Sequence, residues 1–171
     1  CAGNIAYNLK LLGGNPIPMA TVGQDFGPYR AHFEARGIDM SHVKALDGLF
    51  TAQAFITTDL DDNQITAFHP GAMNFSHQNE VEAIADIALG IVAPDGKDGM
   101  RRHVAGFANA GVPFIFDPGP GMPLFSGDEL LEMIDGTLNL NRLAAGGDGA
   151  RFAPVALAEL WRELQDDFAA L

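Results

Sequence analysis

The chain has 171 residues, 47% of them hydrophobic, and a mean hydropathy of +0.07, which is ample for a packed core and too apolar for a disordered segment. Ten basic residues stand against 22 acidic ones, a net charge of −12, and such a surface repels phosphate backbones and excludes nucleic acid as a partner. The single cysteine, Cys1, excludes an internal disulfide and a paired-cysteine metal site, and no apolar run reaches membrane-spanning length.

With no basic-then-apolar leader, the chain is expected to be cytoplasmic, with no membrane partner. In chain order, the pattern predicts a first helix from Asn4 to Leu12, burying Ile5, Leu9 and Leu12 and stopped by Gly13-Gly14. "PIPMATVG" reads as a short buried strand. "GPYRAHFEARG" reads as an amphipathic helix with Tyr29, His32 and Phe33 on one side, ended by Gly37. "TAQAFITTD" and "NQITAFH" are strand-like and joined by the acidic turn "LDDN", a β-hairpin signal. "EVEAIADIAL" is expected to be helical and "GIVAP" a buried strand. "GMRRHVAGFANAG" follows as a helix ended by Gly111, then "VPFIF" as a strand running into the loop "DPGPG". Ser126 and Glu129 form a capping box for the next helix, and "TLNLN" reads as another strand.

The alternation of strand and helix in the later half predicts a parallel α/β sheet flanked by helices. The hairpin interrupts it and is expected to act as a lid over the carboxyl ends of the strands, where such sheets bind ligands.

Two features could carry chemistry. Asn4 is either a cap for the first helix or an amide held against a polar ligand by its small neighbours. Asp117, at the end of a buried strand, either caps the Pro/Gly loop or lies at the ligand edge of the sheet. The five histidines are scattered without metal-ligand spacing, and "DLDDN" lacks the Gly and Glu of a calcium loop. No GxGxxG, GxxxxGK[ST] or GxSxG motif is present.

Ala2, Asn4, Ala6, Gly13 and Gly23 fall in register with the N-terminal signature of the PfkB/ribokinase family of sugar and nucleoside kinases. The leading Gly pair of that signature would precede Cys1. "TAQAFITTDLDDNQITAFHPGAM" resembles the family's lid hairpin and the Gly-Ala loop after it, and "VPFIFDPGPG" resembles its strand ending in Asp or Asn plus Pro. The wording is most similar to bacterial adenosine kinase-like members. The resemblance covers Cys1 to Asp135. It implies a partial ribokinase-like α/β domain over residues 1–141, incomplete at both ends, with a lid over about residues 50–70. Residues 142–171, a Gly-rich stretch and the amphipathic segment "PVALAELWRELQDDFAAL", do not look like the family's continuation.

The implied parent reaction transfers the γ-phosphoryl group of ATP, with Mg²⁺, to a hydroxyl of a sugar or nucleoside. By the resemblance, Asn4 would bind sugar hydroxyls, and Gln53 and Phe55, on one face of a lid strand, would cover the sugar or base. Asp117 would lie near the phosphate path and Asn141 near the nucleotide. Phe55 reads equally as hairpin packing. Ala144 stands where the family's Asn-x-x-Glu run has Glu, and the Gly-Ala-Gly-Asp run that supplies the anion hole and catalytic base is not in this sequence. The chain alone is therefore expected to be inactive. A non-catalytic sugar- or nucleoside-binding module, or a protein that pairs with a second copy through its lid, are the other readings.

Overall fold

The computed structural model describes residues 2–134, so Asn141 and the segment 142–171 lie outside the described residues. Two strand–helix–strand units carry the fold. In the first, β1 (Ala20–Val22) runs through α2 (Gly27–Glu34) to β2 (Val43–Ala45), and the two strands pair in parallel with Thr21 opposite Lys44. In the second, β5 (Gly90–Val92) runs through α3 (Lys97–Ala110) to β6 (Phe114–Phe116), again parallel, with Ile91 opposite Ile115. Parallel pairing requires such a crossover, so the helices follow from the pairing. Among the described residues the two pairs are separate ladders.

Between the two units, β3 (Gln53–Thr58) and β4 (Gln64–His69) form an antiparallel hairpin with Gln53 opposite His69. Every residue of both strands is exposed. The turn closes on itself. The Asp59 carboxylate accepts the backbone N–H groups of Asp61 and Asn63 at 2.8 and 2.9 Å and the Asn63 amide at 3.0 Å. Asp62 takes a positive φ of 62° there, a conformation Asp tolerates better than most residues.

Each unit has its own apolar cluster. Ala6, Val22, Phe33, Ile38, Met40 and Val43 form one. Val81, Val92, Met100, Val104, Phe107, Phe114, Phe125 and Met133 form the other, with α3 laid on β5 and β6. Gly37 and Gly111 end α2 and α3 as the sequence leads one to expect, both at φ 66°. The capping box forms as well: Glu129 N–H donates to Ser126 Oγ at 3.2 Å and Ser126 N–H to Glu129 Oε2 at 2.8 Å. It opens α4, which begins at 127 and continues to 134, the last described residue. That backbone donor, helped by Lys97, holds the Glu129 carboxyl down at about 2.

Three local expectations fail. The first helix, α1 (Ala2–Leu11), starts before Asn4, so Asn4 sits inside its first turn and does not cap it. Instead its carbonyl accepts the Asn8 side-chain amide at 2.9 Å. The stripe Ile5, Leu9 and Leu12 is exposed, whereas Ala6 is buried and Tyr7 packs beside it. The small Ala6 side of α1 is what meets the aromatic face of α2, where Tyr7 and Phe33 lie 6.5 Å apart. "EVEAIADIAL" is not helical: a single 3-10 turn spans Val81–Ala83, Ile84 is extended, and Asp86 has φ 58°. Burying Val81 and packing Ile87 against the α3 cluster overrides local helix preference. A longer 3-10 segment, Gly71–Gln78, follows the hairpin, and another, Gly119–Leu124, follows β6.

Met100 is 0% exposed at the centre of the second cluster. Met100→Ala is expected to lower the unfolding free energy by about 2–5 kcal/mol in urea denaturation. Leu60→Ala, at the solvated hairpin tip, should stay within about 0.5 kcal/mol of the parent.

Candidate functional site

β1 and β5 each deliver an acid three residues beyond the strand end. Val22 closes β1 and Asp25 follows; Val92 closes β5 and Asp95 follows. Carboxyl ends of parallel strands are where α/β folds gather ligand groups. Here both acids line one cleft of about 510 Å³. Its wall comprises Phe26, Tyr29 and Phe33 of the α2 region, Met73 after the hairpin, and Thr51 and Gln53 at the hairpin root. The start of α1, Ala2 and Gly3, closes one side. The aromatic wall is continuous: Tyr29 lies 4.7 Å from Phe33 in a stacked arrangement and 5.2 Å from Phe26.

Asp25 ties the hairpin to the body. Its Oδ1 accepts the N–H and the hydroxyl of Thr51, both at 2.8 Å, and its Oδ2 accepts the Gln53 amide at 3.2 Å. Gly23 N–H donates to Thr51 Oγ1 at 3.0 Å, Gln24 N–H to Leu49 O at 3.0 Å, and Ala72 N–H to Phe50 O at 2.9 Å. Gly23 has to be glycine for this fit, because a Cβ there would collide with the Phe50 backbone. The Thr51 N–H is the main cause that holds the Asp25 carboxyl below its ordinary 3.8.

Asp95 is in the opposite condition. Burial pushes its carboxyl above the ordinary carboxylate value, against the Gly96 N–H, which donates to Asp95 Oδ1 at 2.8 Å, and the Ser76 hydroxyl beside it. A half-buried carboxylate with spare acceptor capacity at the floor of a cleft is suited to take hydroxyl donors from a polar ligand. Gln53 offers an amide with both donor and acceptor character at the mouth, and the three rings offer a flat apolar wall.

Of the residues singled out from the sequence, Gln53 lies on this cleft. Asn4 is exposed on α1 and is not among the lining residues, although Ala2 and Gly3 of the same turn are. Phe55 stands out on the hairpin, 60% exposed and away from the wall. Asp117 is exposed and its Oδ1 accepts Gly119 N–H at 3.0 Å, so it caps the Pro/Gly loop after β6. Asn141 falls outside the described residues. Sequence reasoning missed Asp25, Tyr29 and Asp95. The rule applied to Asp117, an acid following a buried strand, also picks out Asp25 and Asp95.

Asp25→Ala is expected to speed amide exchange at Thr51 and through both hairpin strands, with α3 unchanged. In the parent, Asp25 is the depressed-acid case. Its clasp is complete above the ordinary 3.8 and is lost only as pH falls through the lowered value. Hydrogen exchange of parent and variant above and below that point checks both statements.

The pattern of the pfkB family of carbohydrate kinases matches residues 1–97. The chain is 30% identical over 138 residues to a nucleoside kinase of Methanocaldococcus jannaschii, covering 80% of this chain and 45% of that protein. Among solved structures, a nucleoside kinase of Burkholderia thailandensis in complex with inosine is 54% identical. It has a TM-score of 0.77 and is matched over 80% of this chain and 46% of its own. The same kinase in complex with ADP-inosine has a TM-score of 0.75. This chain spans less than half the length of these relatives. The fold is that of the ribokinase-like α/β proteins, and the chain belongs to the pfkB family of carbohydrate kinases.

Proposed function

We propose that the chain forms the nucleoside-binding half of a kinase that transfers the γ-phosphoryl group of ATP to a sugar hydroxyl of a purine nucleoside such as inosine or adenosine. The observation that carries this reading is the cleft itself. It sets a carboxylate, Asp95, and an amide, Gln53, around an aromatic wall of Phe26, Tyr29 and Phe33. Ribose hydroxyls match the polar groups, and a flat base matches the wall. Relatives described as nucleoside kinases support it, one of them solved with inosine. In this reading the Asp25 clasp fixes the root of the lid, and lid closure excludes water from the sugar. Asn4, one residue from the cleft wall, joins the sugar contacts when ligand is bound, and Phe55 comes over the base as the lid closes.

ATP and Mg²⁺ are the cofactors of the proposed parent reaction, supplying the phosphoryl group and neutralising its charge. Among the described residues no three His, Cys, Asp or Glu side chains converge as metal ligands. The chain's own groups bind and orient the nucleoside, and no step is assigned to Mg²⁺ through them. Asp117 and Asn141 remain candidates for the nucleotide side. The sequence has no Gly-Ala-Gly-Asp run to stabilise phosphoryl charge.

Isothermal titration with inosine, adenosine and ribose tests the binding half. Heat with either nucleoside and much weaker binding of ribose is expected, since ribose leaves the aromatic wall uncovered. No heat at millimolar nucleoside would sink the reading. The purified 171-residue chain with ATP, Mg²⁺ and inosine should form no inosine monophosphate above background, and turnover would show that the chain needs no other half.

A second reading has its own observation. Phe55, Ile56, Ile65 and Phe68 are all exposed on a hairpin whose two edges are unpaired among the described residues. Unpaired apolar strands of this kind are covered by another strand or by a partner. We infer a cytoplasmic homodimer paired through the lids. Sedimentation equilibrium should show dimer that Phe68→Lys weakens, and a strict monomer at high micromolar concentration would rule it out.

A further inference from the structure

We propose that residues 154–171 dock as an amphipathic helix on the uncovered face of the β5–β6 pair. The proposal does not depend on the nucleoside reading of the cleft.

β5 and β6 are covered on one side only. On that side lies α3: a Cβ at Gly90 would collide with the Phe107 ring, and Phe107 stacks on Phe114 at 5.7 Å. Val92 and Phe114 are buried in the same cluster. Side chains alternate along a strand, so Ile91 and Ile115, opposite each other in register, point away from α3. They are 41% and 52% exposed, and Leu89, just before β5, is exposed as well. Parallel pairs are covered on both faces as a rule, because their strands are apolar on both sides. Two isoleucines side by side in water are therefore half of a layer whose other half is outside the described residues.

The sequence carries a matching element. From 154 to 171, Leu157, Leu160, Trp161, Leu164, Phe168 and Leu171 fall on one side at helical spacing, and Glu159, Arg162, Glu163, Asp166 and Asp167 fall outside that stripe. Pro154 stands where a helix accepts proline, in its first turn. The chain is also in the right place. Met133 is buried in the cluster that α3 forms on β5 and β6, so residue 134 leaves the described structure beside this strand pair. Residues 135–153 come between, and a stretch of that length reaches up to about 60 Å when extended. The opposite face of a two-stranded layer is well within that range. A tethered segment also competes at high effective concentration against any separate molecule. The other exposed stripe, Ile5, Leu9 and Leu12, lies on α1, whose Ala6 belongs to the other apolar cluster. Exposed apolar side chains on a helix are common and call for no cover.

Trp161 is the only tryptophan of the chain, so its fluorescence reads the docking directly. In the full 171-residue chain its emission should be blue-shifted relative to the same chain in urea, at every concentration tested. Ile115→Glu should return the emission toward the unfolded value and raise acrylamide quenching severalfold, while Leu9→Glu should change neither. Circular dichroism checks that each variant is folded. If Ile115→Glu does not fold, Ile91→Gln takes its place, with a smaller change in the same direction. In the parent chain, NOEs should connect the Trp161 indole to the methyl groups of Ile91 and Ile115. Emission of a solvated indole in the parent, or release of Trp161 by Leu9→Glu and not by Ile115→Glu, would overturn the proposal. A blue shift that disappears on dilution would also overturn it, since a second copy would then occupy the face.

Discussion

The Asp25 carboxylate is the point on which the rest of the arrangement depends. A two-stranded hairpin with every side chain in water has little stability of its own. Here it gains a fixed root, because one carboxylate takes both donors of Thr51 and the amide of Gln53. Those bonds set where the hairpin stands relative to β1, and β1 lines the cleft. The glycine at 23 is part of the same constraint. It lets the Leu49–Phe50 backbone lie against the loop that carries Asp25.

Around this joint, the two apolar clusters divide the work. The α2 cluster holds β1 and the aromatic wall, and the α3 cluster holds β5 and Asp95. The cleft draws residues from both sides, so its shape depends on the relation between two separate parallel ladders. Thr21 spans part of that gap. Its hydroxyl donates at 2.7 Å to the Ala72 carbonyl, which ties β1 to the segment that leads on to Ser76. Polar ties of this kind between apolar clusters fix register where packing alone would allow sliding.

What was legible in the sequence followed local chemistry. The hairpin was readable because β-branched and aromatic runs flank an acidic turn, and α3 because an apolar stripe ends in a glycine that the chain needs at positive φ. The Ser126–Glu129 box was readable from spacing alone. The failures came from tertiary demands. Ile5, Leu9 and Leu12 have helical spacing, yet α1 turns its Ala6 side inward, into the cluster that holds Phe33, with Tyr7 packed beside it. Residues 80–89 have the composition of a helix, but Val81 must reach the α3 cluster, and one 3-10 turn does that. At the site, the register of the family signature pointed to Asn4, whereas the groups that converge on the cleft, Asp25 and Asp95, are set by which strands lie side by side. That information is not local.

The turn at the hairpin tip is closed by its own Asp59 carboxylate, and among the described residues its hydrogen bonds are all local. It is therefore a self-contained cap that can be lengthened, or carry a foreign loop, with the strands beneath it keeping their register. The far end of the hairpin is free to diversify in length and sequence while the cleft at its root stays the same. The shape of the cleft and whatever the tip meets can change independently, one residue substitution or one insertion at a time.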